Sequence, residues 1–455
     1  MTAPSADSFS RTKKLFVDSG DASTFAEAEE LSQSFILQVH VGHIAGNATL
    51  QAAALTIVNS AARAFEGGVR VLIEVDCDIL TGWQSEARLS EAVVAYSGTI
   101  VNALDERHPT VCVGDTDRAV RGRPVLRAVA TGWSGGVVEG SSSPVAELDR
   151  FVPAGIAAGG IAAAEAFEVL RGHNIYAGRR SQGLSLWRPG IDWLSTDAIG
   201  PDAVTYGPAA WWIVGLGHLG QGYLWVIGML PYANPEQVHV LMQDEDVVTK
   251  ANESTGMLLP IGTVVNHERR RKTRELARVL ECRGITTTIT ERRLRRGDGP
   301  ADDEPRLALI GVDNPQTRRE LSATDGFSLI VDVGLGGGPR GYLDLQLRSF
   351  PASRRSEDIP GWQDTAAPVP AARDMPAYSN AEDDECGIVE LAGRSVAASF
   401  VGATAGALAV AEAVRSLRGE HRHEVVSASL HDLRGTDAVV TQQPAVDNPG
   451  FGLLR

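Results

Sequence analysis

The sequence predicts an α/β protein made of two homologous halves in tandem, each a doubly wound, mainly parallel sheet flanked by helices. Three observations predict it. First, two Ala- and Gly-rich helical segments repeat: residues 151–172 read FVPAGIAAGGIAAAEAFEVLRG and residues 400–419 read FVGATAGALAVAEAVRSLRG. Aligned from the right, Gly159 falls on Gly406, Glu165 on Glu412 and Leu170-Arg171-Gly172 on Leu417-Arg418-Gly419. Second, further pairs keep one order in both halves. LQVHVGHIAG from Leu37 and VRVLIEVD from Val69 parallel WWIVGLGHLG from Trp211 and VHVLMQDED from Val238. TVCVGDT from Thr110 and VATGWSGG from Val129 parallel LALIGVDN from Leu307 and VDVGLGGG from Val331. Third, apolar strand-like runs alternate with amphipathic helical stretches, the pattern of a parallel sheet with crossover helices.

The repeat divides the 455 residues. Residues 1–172 form the first half, 173–207 a linker rich in Gly, Ser, Trp and Arg, and 208–348 the core of the second half. Residues 349–387 are a Pro-, Ala- and acid-rich loop ending at Cys386-Gly387, and 388–455 supply a last helix and strands. A loop of that length in a compact domain is usually functional or disordered.

Composition narrows the function. Lys and Arg total 42 against 57 Asp and Glu, a formal charge of −15. That balance argues against nucleic acid or an anionic membrane as the main partner. The N-terminus has no apolar segment of a secretory leader, and the four cysteines form no C-x-x-C pair. Both point to a reducing cytoplasm and to no Cys-rich zinc site. Residues 203–235 carry no charged side chain and are long enough to span a membrane. Their glycines and prolines suit a buried strand–turn–helix better.

In such sheets ligands sit at the carboxyl ends of the strands. In the second half the strand ending at Val214 runs into Gly215-Leu216-Gly217-His218-Leu219-Gly220, with a helical stretch from Tyr223 to Leu230. Glycines so spaced allow a tight turn and bring backbone N–H groups close to phosphate. The fingerprint alone fits a nicotinamide dehydrogenase equally well. The next strand ends in Asp244-Glu245-Asp246, two aspartates on one side of an extended end, followed by Asn252. One can take ribose and the other phosphate or metal, unless the segment is a solvated acidic turn. Lys272 and, after the strand Leu307–Val312, Asp313-Asn314 with Arg318 follow. A lysine on leaving phosphates and an aspartate on Mg²⁺ are what nucleotidyl transfer needs.

The order G-x-G-x-x-G, D-x-D-x-V, Asn, Lys, then D-N-x-x-x-R resembles the ThiF/MoeB adenylyltransferase superfamily, which includes ubiquitin-activating enzymes. The resemblance implies two Rossmann-like ThiF-type adenylation domains forming a pseudo-dimer within one, monomeric, chain. It implies that Gly215, Gly217 and Gly220 line the phosphates of ATP and that Asp244 binds ribose. Asp246, Asn252 and Asn314 would flank the nucleotide, Lys272 would contact phosphates and Asp313 would hold Mg²⁺. The family's N-L-x-R-Q is here Asn252-Glu253-Ser254-Thr255-Gly256, so Thr255 stands where an arginine is usual. The first half lacks the full glycine fingerprint, having Gly42-His43-Ile44-Ala45-Gly46, and has no lysine–aspartate pair. This resembles fused ubiquitin-activating enzymes in which an inactive half completes an active one. Phe9-Ser10-Arg11-Thr12 is similar to the family's opening Y-S-R-Q, making Arg11 the arginine lent to the other half's site.

The expected function is ATP-dependent adenylation of the C-terminal tail of a ubiquitin-like protein, then thioester formation and transfer to a conjugating enzyme. Cys386 matches the family's catalytic cysteine, at the end of the crossover loop before the last long helix. Its preceding Glu382-Asp383-Asp384-Glu385 would raise the thiol pKa. Cys282, read as buried in a helical pattern, does not match. The composition places this conjugation system in a bacterium, with a role in defence as an extension. The alternatives are adenylation without a thioester, for sulfur transfer or peptide modification, an NAD(P)-dependent oxidoreductase, and a scaffold with two dead halves.

Overall fold

The structure is a computed structural model. It describes all residues except 1–3, 84–86, 119, 121, 203, 266–267, 296, 363–374, 380–384, 442–449 and 455, and omits the side chains of 361 and 385–387. Two short helices, α1 (Arg11–Asp18) and α2 (Phe25–Ser34), precede the first sheet. That half runs β1 (Ile36–Val41), α3 (Ala48–Ala61), β2 (Gly68–Ile73), α4 (Leu89–Ala95), β3 (Gly98–Ile100), β4 (Thr110–Val113), β5 (Val125–Thr131), β6 (Ser134–Glu139), α5 (Val152–Arg171) and β7 (Gln182–Ser185). The second half runs β8 (Tyr206–Pro208), β9 (Ala210–Val214), α6 (His218–Met229), β10 (His239–Gln243), α7 (Lys272–Cys282), β11 (Thr286–Thr290), β12 (Leu307–Ile310), α8 (Pro315–Ser322), β13 (Leu329–Leu335), α9 (Gly338–Gly341) and β14 (Asp344–Phe350). It closes with α10 (Pro376–Ser379), α11 (Glu385–Gly393), α12 (Ser399–Leu417), β15 (Arg422–Ser429), β16 (Asp437–Thr441) and β17 (Phe451–Leu453).

The two sheets share one strand order. The first is β3-β2-β1-β4-β5-β6-β7 and the second β11-β10-β9-β12-β13-β14-β15-β16. In each, the first five strands are parallel and the rest antiparallel. Val39 pairs Val71 and Val111 as Ile213 pairs Met242 and Leu309. These central strands are buried on both faces, although one face of β1 carries Gln38 and His40. Residues 173–207, read as a linker, supply β7 to the first sheet and begin β8, which pairs with β17.

Between the sheets lie α3 and α5 of the first half and α6 and α12 of the second. The long helices α5 and α12 pack on each other and are long and apolar enough to cross a membrane, but both are buried between the sheets. Their small residues permit this. A Cβ on Gly159 would lie 2.6 Å from the Ala53 carbonyl of α3, and one on Gly406 2.6 Å from the Gly222 carbonyl of α6. The aligned glycines thus mark the same helix crossing in each half. The aligned glutamates match too. Glu165 accepts from Gly178 N at 2.8 Å and from Gln182, while Glu412 accepts from His423 N at 2.7 Å and from Arg415. Each fully buried carboxylate ties its helix to the strand that follows, with donors that satisfy it.

Candidate active site

The carboxyl ends of β9, β10 and β12 open into a cavity of about 620 Å³. Gly215 turns the chain out of β9 at φ +83°, where a Cβ would lie 2.9 Å from the Gly311 carbonyl. Gly217 caps α6 and has no neighbour within 4 Å of a built Cβ, so the helix N-terminus faces open space. Gly220 does not line this cavity. A Cβ there would lie 1.9 Å from the Gly215 carbonyl, so its role is to let the helix close on the turn. The helix starts five residues before the expected Tyr223, because Gly220, read as part of the turn, and Gly222 lie inside it and pack against Gly215 and Gly402.

The polar side chains converge on that opening. Asp244 Oδ2 accepts from Leu216 N at 2.6 Å, bracing the glycine turn, and its Oδ1 accepts from Asp246 N at 2.7 Å. Lys272, the first residue of α7, is buried yet points its Nζ 2.8 Å from Asp246 Oδ2 and 3.9 Å from Asp244 Oδ2. Asn252 braces its own turn by accepting from Thr249 N at 2.9 Å, and Thr255 lines the same wall without charge. Asp313 is exposed to the cavity, beside Asn314, whose Oδ1 accepts from Thr317 N at 3.0 Å to cap α8. Arg318 is held away from ligand duty by Asp332, at 2.9 and 3.1 Å, and by the Trp362 ring at 4.8 Å.

Arg11 reaches this second-half cavity from the first-half end of the chain. Its backbone N donates to Ser254 Oγ at 3.0 Å, Ala251 N donates to Asp7 O at 2.9 Å, and Thr12 Oγ1 donates to Ala397 O at 3.0 Å. The start of α1 is thus gripped between the Asn252 wall and the segment before α12. Arg11 Nη1 is buried with no hydrogen-bond partner among the described residues. Its guanidinium is held below its ordinary value first by burial, then by the charge of Arg394, against the pull of Asp7, Asp313 and Glu390. The first half also holds the wall itself. Arg63, wholly buried beyond the end of α3, donates to the carbonyls of Glu253 at 2.6 Å and Leu259 at 2.8 Å, and Asn59 Nδ2 to that of Met257 at 2.9 Å.

At the equivalent place in the first half the loops close on each other. A Cβ on Gly42 would lie 1.9 Å from the Asp115 carbonyl, and His43 N donates to that oxygen at 2.8 Å. His43 Nε2 meets Asp117 Oδ2 at 2.8 Å, and Glu74 accepts from the backbone of Asp117 and Arg118.

Both halves match family models, residues 36–186 the BilD N-terminal domain and residues 207–420 the BilD C-terminal domain. The bacterial E1-like protein BilD of Collimonas sp. (strain OK412) is 37% identical over 429 residues, covering 93% of this chain and 92% of the relative. The chain belongs to the BilD family. Among solved structures, E. coli MccB resembles it loosely, at 11% identity and a TM-score of 0.33, covering 71% of this chain and 95% of MccB. PaaA aligns at 11% identity with a TM-score of 0.31, covering 51% and 64%.

For this BilD family member the cysteines divide clearly. Cys77 and Cys112 are buried, and burial raises both thiols, Cys112 to about 12. Cys282 is exposed, contrary to the buried position expected from its helical pattern. It is the last residue of α7, whose buried face is carried by Leu276, Ala277 and Leu280, and it lines a separate cavity with Trp83 and Tyr96. Residue 386 stands in the first turn of α11, but the Cys386 side chain lies outside what is described, as do residues 382–384 of the acidic run. The helix end, Gly393, and residues 394–397 line the nucleotide-sized cavity.

His218, the x before Leu219 in the glycine motif, was not singled out from sequence. Its Nε2 is buried against Gly402 of α12, where a Cβ would lie 2.5 Å away, and burial pushes the imidazole down to about 4 from 6.5. Because the folded value is depressed, the unfolded chain binds the proton more tightly between these two values. Stability contributed by neutral His218 is therefore complete above pH 6.5 and falls by about 3 kcal/mol as pH drops to 4. Denaturant titrations at pH 7 and pH 5 should show a smaller acid loss in His218→Asn than in the wild type. An equal loss in both would refute the assignment.

Proposed function

We propose that this protein activates the C-terminal carboxylate of a ubiquitin-like protein by adenylation in the second-half cavity. The first half acts as an inactive partner, so that the two halves form a pseudo-dimer in one chain. The observation that carries this reading is Arg11. It comes from the other half, has an unpartnered buried Nη1, and opens on the cavity that gathers Asp244, Asn252, Lys272 and Asp313. Membership of an E1-like bacterial family supports the same class of reaction.

In this reading the turn Gly215–Gly217 and the N-terminus of α6 receive phosphate oxygens of ATP, which favours anions by dipole and free N–H groups. The Asp244 carboxylate, fixed by Leu216 N, faces the ribose. A carboxylate oxygen of the tail attacks the α-phosphorus. The bond from the α-phosphorus to the bridging oxygen breaks, pyrophosphate leaves, and an acyl-adenylate remains. Arg11 and Lys272 offset the charge that grows on the phosphates, as fixed donors aimed at developing charge do. Lys272 must exchange its contact with Asp246, which is half-exposed and therefore cheap to give up.

The hard oxygen donor of Asp313, facing the cavity with no ion pair among the described residues, suits Mg²⁺. Bound there, the ion would neutralise phosphate charge. Cys386 would then attack the acyl carbon, AMP would leave, and the thioester would pass to a conjugating enzyme. A first-turn position in a helix favours the thiolate. Exchange of pyrophosphate into ATP that requires a ubiquitin-like tail tests the adenylation step. ATP turnover indifferent to any tail would contradict it.

A further inference from the structure

We propose that Arg394 is a phosphate-binding residue of this cavity, paired with Arg11 across its mouth and supplying charge where Thr255 offers none. The inference rests on the adenylation reading for its consequence but not for its test.

Six cations among the described residues line the cavity: Arg11, Lys272, Arg292, Arg293, Arg318 and Arg394. ATP brings about four negative charges, and unpaired buried charge is costly, so each phosphate needs a partner. Arg318 is committed to Asp332 and Trp362, as above. Arg292 is tied to Asp298 and Arg293 to Glu245, at the rim beyond β11. Lys272, once it releases Asp246, answers only part of that charge. Among the described residues Arg394 is held by Glu390 at 3.1 Å, one helical turn away, and Asp7 at 3.8 Å, both more than half exposed. Exposed pairs of this kind contribute at most about 1 kcal/mol, so phosphate oxygens would displace them.

Its position is fixed by backbone rather than by chance. Residues 393–397 line the cavity and are fastened to α1: Lys14 Nζ donates to Ala392 O at 3.3 Å, Ala397 N to Arg11 O at 3.4 Å, and Thr12 Oγ1 to Ala397 O. Arg394 therefore stands near Arg11, and its charge is the leading electrostatic influence that lowers the Arg11 pKa. Two like charges brought together beside an unpartnered buried Nη1 favour an anion between them. No regularity of sequence marks Arg394, because it reaches the site only through the packing of the 393–397 segment on α1.

The test compares ATP with adenosine as titrants of the full chain, in the wild type, Arg394→Gln and Arg394→Lys. Loss of one charge-assisted phosphate contact weakens ATP binding by about 10- to 100-fold. Adenosine affinity should be unchanged in Arg394→Gln, and Arg394→Lys should recover part of the ATP affinity. Equal weakening of ATP and adenosine, or no change in either, would overturn the proposal. If the wild type binds ATP but supports no tail-dependent exchange, the adenylation reading fails while the binding comparison still decides the role of Arg394.

Discussion

Arg11→Ala lowers the rate of tail-dependent pyrophosphate exchange by roughly 10²–10³-fold, the usual consequence of deleting one fixed donor to developing charge. The fold should survive the change. The hydrogen bond that anchors residue 11 to Ser254 uses its backbone N, and α1 keeps its Ser10 cap and its buried Leu15, Phe16 and Val17. The loss should therefore appear in turnover, with the melting temperature within a few degrees of the wild type. Arg11→Lys should recover only part of the rate, because a point charge cannot reproduce the planar fork. Wild-type turnover in Arg11→Ala would mean that the first half lends nothing to the chemistry.

Cys386→Ala produces the second large effect, and it is selective. Exchange should stay within about twofold of the wild type, because the thiol takes no part before the adenylate exists, whereas the reducible protein adduct should vanish entirely. Cys282→Ser is the necessary companion, since Cys282 is exposed and Cys77 and Cys112 are buried. The adduct should persist in Cys282→Ser when followed by electrophoresis with and without thiol. An adduct that survives in Cys386→Ala and disappears in Cys282→Ser would move the thioester to α7. No adduct in the wild type would leave adenylation as the whole reaction.

Much of the architecture is legible in the sequence because it is repeated. Gly159 and Gly406, Glu165 and Glu412, and the strands ending at Val41 and Val214 recur in one order, the strands at matching places in the two sheets and the glycines at matching helix crossings. That the glycine turn, Asp244, Asp246 and Asp313 line one opening is legible for a different reason, because they follow the ends of β9, β10 and β12; Asn252 and Lys272 join them there from later segments.

What stayed hidden depends on contacts between distant segments. Arg63 grips the carbonyls of Glu253 and Leu259 with no local pattern to announce it. The strand Gln182–Ser185 lies in a stretch rich in Gly, Ser, Trp and Arg that reads as a linker, and only its antiparallel pairing with β6 makes it a strand. Gly220 looks like a phosphate ligand by spacing but is consumed by the approach of α6 to its own turn. Periodicity places Cys282 in the interior, yet a helix end escapes the buried face that its preceding turns obey.

On this reading the chemistry belongs to the second-half cavity alone. Pyrophosphate exchange should be measured with a ubiquitin-like tail in the wild type, Asp313→Ala and Asp117→Ala, the last altering the exposed, self-closed counterpart in the first half. The account predicts exchange that needs the tail, vanishes in Asp313→Ala and persists in Asp117→Ala. Exchange that survives in Asp313→Ala, or that is lost in Asp117→Ala, would contradict it.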